Sequence, residues 1–108
     1  MKKIHIALST NNIPDSIADY SQRLGLQPCV VIEGEYALWR TDTVNLSIRC
    51  VKDLDQVGQL RHLGFEDSDA REFTQTTDVN GIDWEHFSAA QQAQEIRTTW
   101  PKSDYYDE

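Results

Sequence analysis

Lys3-Ile4-His5-Ile6-Ala7-Leu8-Ser9 alternates so that Ile4, Ile6 and Leu8 share one face and His5, Ala7 and Ser9 the other. That is the period-two pattern of a half-buried strand, and it turns His5 away from the aliphatic side. Asn12 follows as an N-cap, with Asp15 where the helix dipole favours an acid. Ile13, Ile17, Tyr20 and Leu24 then recur at helical spacing until Gly25 supplies a stop. After Pro28 come three extended stretches, 29–33, 35–41 and 44–51, broken by Glu33-Gly34 and Thr41-Asp42-Thr43. In the last of them Val44, Leu46, Ile48 and Cys50 oppose Thr43, Asn45, Ser47 and Arg49. The first 51 residues therefore predict a β-α-β-β-β unit: an antiparallel meander with one oily and one polar face, and the helix on the oily side.

The polar segment 52–59 leads to a second strand-like stretch, Leu60 to Glu66, with Arg61, Leu63 and Phe65 on one side and His62, Gly64 and Glu66 on the other. Residues 67–73 suggest a turn with a brief helical start, Asp78-Val79-Asn80-Gly81 a tight turn, and Ile82 to Phe87 a strand. Ser88 can cap a short helix over 89–97, with Pro101 beyond it, and fraying is expected from Lys102 onward.

With 108 residues and 39% hydrophobic side chains, the chain supports one core rather than two. Ten basic against eighteen acidic residues give a net charge of −8, which argues against nucleic acid and anionic membrane as partners. No apolar run reaches a membrane span, and Ile4 to Leu8 is too short for a signal-peptide core, so a cytoplasmic location is expected. Cys29 and Cys50 are neither a C-x-x-C pair nor a disulfide framework, and both read as small buried apolar residues. A glycine-rich phosphate loop, a G-x-S-x-G nucleophile elbow and a cysteine metal cluster are all missing from the sequence.

Several strings in order carry a likeness: His5-Ile6-Ala7-Leu8, residues 13–20, Leu24-Gly25-Leu26-Gln27-Pro28, Tyr36-Ala37-Leu38-Trp39 with Asn45-Leu46-Ser47-Ile48, His62-Leu63-Gly64-Phe65, and residues 78–87. Together, over about residues 3 to 87, they resemble the vicinal oxygen chelate superfamily of glyoxalases, bleomycin-resistance proteins and ring-cleaving dioxygenases. The resemblance implies an α+β fold in which β-α-β-β-β modules form a cup. It also implies a divalent metal ion (Mn, Fe, Ni or Zn) held by His5, His62 and Glu85. Strand parity independently places His5 and His62 opposite the aliphatic residues. For Glu85 parity leaves the side open, because Phe87 shares its face while Ile82, Trp84 and His86 share the other. Two neutral imidazoles and a carboxylate suit a borderline divalent ion and leave positions for water or a bidentate oxygen ligand.

Only residues 63–77 separate His62 from Asp78, and a typical helix alone takes about eleven. The second module, 60–87, must therefore be a truncated one and the cup partial, within a single domain over 1–101 followed by an acidic tail, 102–108. A homodimer completing the sheet along edges near 60–66 or 82–87 is the expected remedy. Within the family the likeness is nearest to the branch containing carbon-arsenic lyases and cadmium-inducible proteins. The substrate thiols of those lyases have no counterpart in Cys29 or Cys50, so arsenical chemistry is rejected.

The functional expectation is a metal-dependent lyase, isomerase or dioxygenase acting on a small oxygen-rich molecule. Tyr36, Trp39, Asn45 and Ser47 are the candidate substrate contacts, with Trp84 as a further aromatic wall. The alternatives are a metal-free module that binds or sequesters a small molecule and a non-catalytic dimeric assembly protein.

Overall fold

The computed structural model describes residues 2–107. Its elements run β1 (Lys2–Thr10), α1 (Ile13–Leu24), β2 (Val30–Ile32), β3 (Tyr36–Arg40), β4 (Val44–Cys50), a single 3-10 turn (Leu54–Gln56), β5 (Leu60–Asp67), β6 (Thr74–Thr77), β7 (Asp83–Phe87) and α2 (Ala89–Thr99). The protein is α+β, with a mixed seven-stranded sheet in the order β2-β3-β4-β1-β5-β7-β6 that does not close into a barrel. In the first half β1 runs parallel to β4, which is flanked by antiparallel β3; in the second half β5 runs parallel to β7, which is flanked by antiparallel β6.

The expected signals begin and end α1. Asn12 accepts from the Asp15 amide, and Gly25 closes the helix at φ 67°, a left-handed conformation that only glycine adopts without penalty. The helix sets Ile13, Ile17, Tyr20 and Leu24 on Ala37, Trp39, Ile48 and Leu46, the oily face of the sheet.

The other face is not left to solvent. A reciprocal Ser88–Gln91 capping box starts α2, which lays Gln92, Ala93 and Ile96 over it, with Ile96 joining Tyr36 and Leu38 in a second core cluster. The polar side predicted for β1 and β4 is thus a second interior, in which His5, Asn45 and Ser47 are buried.

Several expectations change. Asp67 ends β5, residues 68–73 form turns and bends without helix, and Thr74–Thr77 makes an additional strand hairpinned onto β7. All four of its residues are exposed, which is why no apolar alternation announced it. β5 and β7 each have a strand on both sides, so the edges proposed for a dimer near 60–66 and 82–87 are already paired. The sheet instead ends at β2 and β6.

The C-terminal segment folds back rather than fraying: Arg97 donates to the Tyr105 carbonyl at 2.7 Å and Arg40 pairs with Asp107 at 3.1 Å. Glu108 lies outside the described residues. Cys29 is exposed rather than buried, whereas Cys50 is partly covered and packs against the core cluster under α1. Among the described residues no helix is long and apolar enough to cross a membrane.

Candidate metal centre

The buried polar face is ordered in cross-strand rows. One row reads Arg40, Asn45, His5, Gly64, Glu85 across β3, β4, β1, β5 and β7, and its neighbour reads Leu38, Ser47, Ala7, His62. Pairing with Gly64 settles the side of Glu85: it faces the same interior as His5, and Phe87 comes with it. Gly64 is required where it stands, because a Cβ there would collide with the Glu85 carbonyl oxygen. The missing side chain also leaves the gap across which His5, His62 and Glu85 meet.

They meet closely. His62 Nε2 lies 3.0 Å from His5 Nε2 and 3.0 Å from Glu85 Oε1, and His5 Nε2 lies 3.9 Å from the same oxygen. One ligand atom from each residue falls within 4.8 Å of the others.

Hydrogen bonding fixes what His5 offers. Asn45 Nδ2 donates to Glu66 Oε1 at 2.9 Å and to Gln92 Oε1 at 2.7 Å, so its Oδ1 must face His5 Nδ1, 2.8 Å away. An amide oxygen only accepts, so the proton sits on Nδ1 and the Nε2 lone pair points at His62 and Glu85. Burial pushes the His5 pKa down, with the hydrogen bond it donates to Asn45 opposing the shift, and the neutral ring is the form that ligates a metal. With His5 Nε2 and Glu85 Oε1 both acceptors, one proton on His62 Nε2 is at best divided between them, whereas one cation can bind all three. The donor set of two imidazole nitrogens and one carboxylate oxygen fits a divalent transition ion.

Behind the trio the polar groups are tied down in sequence. Arg40 grips Glu66 through two bonds of 2.8 and 3.0 Å, and Lys3 stands 3.9 Å from the same carboxylate. Burial alone would raise the Glu66 pKa, but the bonds from Arg40 and Asn45 and the charges of Arg40 and Lys3 hold it below the usual carboxylate range. Gln92 Nε2 returns a 3.3 Å bond to Asn45 Oδ1, linking α2 to the same chain of contacts. Phe87 meets the His5 ring edge-on at 5.0 Å and stacks on Phe73, closing the apolar wall.

A cavity of about 100 Å³ opens beside the trio, lined also by Tyr36, Ser47, Arg49, Arg61, Phe73 and Trp100. Of the candidate substrate contacts, Tyr36 and Ser47 line it, and burial pushes the Tyr36 pKa far up against the opposing hydrogen bond with Ser47. Asn45 is fully buried behind His5 and does not line the cavity.

Trp39 lies on the opposite face, fully buried under α1 with its Nε1 donating to Ser21 Oγ at 3.2 Å. Alternation along β3 already separates it from Tyr36, so the signal was there to be read. Trp84 also faces away, packed on Phe65 and donating to Asp78 Oδ2 at 2.8 Å. His86 points to that outer side too, 2.8 Å from Asp67.

Arg61 was assigned to the Leu63 side, yet it lines the cavity with His62. Ala7 pairs with His62 and Leu8 with Leu60, leaving Arg61 as the extra residue of a β-bulge. Bulges turn two successive side chains toward one face. Burial and the nearby Arg49 charge lower the Arg61 pKa. A larger cavity of about 840 Å³ lies between β2 and the C-terminal segment, lined by Cys29, Tyr105 and Tyr106 and by none of the trio.

No protein-family model and no curated protein sequence matches the chain. Among solved structures, the NAD-dependent benzaldehyde dehydrogenase from Legionella pneumophila superposes with a TM-score of 0.54 at 12% identity, covering 79% of this chain and 97% of that one. At that identity the likeness is one of fold alone.

Proposed function

We propose that this chain is a metal-dependent enzyme of the glyoxalase/dioxygenase type, a lyase, isomerase or dioxygenase acting on a small oxygen-rich molecule. His5, His62 and Glu85 would hold a single divalent ion. The observation that carries the reading is the convergence of three ligand atoms from three strands, spaced 3.0, 3.0 and 3.9 Å apart.

When bound, the ion supplies Lewis acidity toward oxygen and open positions for a substrate that brings two adjacent oxygens. The chain's own residues do the rest. Asn45 holds the His5 ring in the ligating tautomer, Glu85 contributes the one negative charge among the three donors, and α2 with Phe87 and Phe73 keeps bulk water from the inner side. Tyr36 and Ser47 offer hydroxyls along the cavity wall. The recurrence of a parallel first-to-last strand pair in each half is what a full module followed by one lacking its helix and edge strand produces.

Isothermal titration of chelator-treated protein with Mn²⁺, Ni²⁺ or Zn²⁺ tests the proposal. One ion per chain should bind, and Glu85→Ala should abolish it by removing the sole carboxylate ligand. Equal binding by wild type and variant would assign the metal to surface acids and remove the basis for the enzyme reading.

A further inference from the structure

The wall of the small cavity carries a feature the metal trio does not use. Arg49 on β4 and Arg61 on β5 both line it, on either side of β1. Among the described residues neither guanidinium has a carboxylate within ion-pair distance, although acids outnumber bases eighteen to ten in the chain. Arg40, by contrast, is matched with Glu66 and Asp107, and Arg23 with Asp19.

Two guanidinium charges lining one small cavity attract an anion that can bridge them. Both are also held in place. The Arg49 guanidinium sits over the Trp100 ring at 5.2 Å, and Arg61 is turned inward by the bulge that makes it the neighbour of His62 on this face.

We propose that Arg49 and Arg61 form an anion subsite that selects a small monocarboxylate, its charged end on the guanidinium pair and its remaining oxygen toward His5, His62 and Glu85. The claim rests on the metal reading for the second half of that placement only. A guanidinium fork matches a planar carboxylate through paired charge-assisted bonds. The Glu85 and Glu95 carboxylates, which line the same small cavity, disfavour a second negative charge on the ligand. A monoanion is therefore favoured over phosphate.

The test compares glycolate, glycolamide and inorganic phosphate as probes of wild type, Arg49→Gln and Arg61→Gln, each metal-free and loaded with diamagnetic Zn²⁺, using side-chain Nε–Hε resonances of the arginines. Glycolate should shift the Arg49 and Arg61 signals and leave Arg23 unmoved. It should bind at least about tenfold more tightly than its neutral amide, the value of a lost charge-assisted bond pair. Arg49 is exposed, so Arg49→Gln should fold and should erase that preference while Zn²⁺ affinity stays unchanged.

Equal binding of glycolate and glycolamide, or a preference that survives both variants, would overturn the subsite. Tighter binding of phosphate would overturn the carboxylate assignment. A charge preference that appears in the metal-free protein while Zn²⁺ fails to bind would uphold the subsite and defeat only the metal reading.

Discussion

Under α1 the sheet presents Ala37, Trp39 and Ile48; under α2 it presents His5, Asn45 and Ser47; and all six are at most 2% exposed. Equal burial has been reached by opposite chemistry. On the α1 side, dispersion and the removal of apolar surface from water suffice, and many residues of similar volume would serve. On the α2 side every buried polar atom needs a named partner, and among the described residues no buried side-chain nitrogen or oxygen lacks one. A folding core tolerates substitution, whereas a buried polar network specifies the orientation of each member. The network here ends on the Nε2 lone pair of His5.

The largest effect that separates the two faces should come from Trp39→Ala. It should cost about 3–5 kcal/mol of stability by leaving a cavity under α1, while the folded fraction keeps wild-type metal affinity. Chemical denaturation paired with metal titration checks this, and a change in affinity would mean the faces are coupled. Asn45→Ala should be milder for stability, about 2–3 kcal/mol, because His5 Nδ1 and the Gln92 amide lose a buried partner. It should nonetheless weaken metal binding by about 10–100-fold by freeing the His5 ring.

A smaller effect concerns pH. The folded Glu66 has a pKa below its unfolded value of about 4.3, so its stabilising contribution is complete above that value and is lost as pH falls through the folded one. The stability gap between wild type and Glu66→Gln should be widest near neutrality and should close on acidification. A gap independent of pH would show that the Arg40–Glu66 pair acts through packing alone.

The same contrast explains what the sequence could disclose. Alternation in 3–9, 44–51 and 60–66, with the helical spacing of Ile13, Ile17, Tyr20 and Leu24, was enough to place β1, β4, α1 and the sides of His5 and His62, since one residue of slip would have sent the aliphatic set to the wrong face. Asn12, Gly25 and Ser88 marked helix ends by local chemistry that needs no tertiary context.

Glu85 was undecidable within its own strand. Its side is set by pairing with Gly64, about twenty residues away, a spacing that belongs to sheet register. Arg61 was misassigned because a bulge breaks the period on which the assignment relied. The Asn45–Gln92 pair joins residues 47 apart through two polar side chains that carry no pattern of their own. β6 consists of Thr and Gln alone and owes its extended form to β7.

If His5, His62 and Glu85 act as one centre, the chain's three histidines allow it to be observed directly. In ¹⁵N-labelled protein titrated with Zn²⁺, the Nε2 resonances of His5 and His62 should move together and saturate at one ion per chain. His86, which faces the other side of the sheet beside Asp67, should stay unchanged. Separate saturation of His5 and His62, or a response at His86 with none at His5, would contradict it.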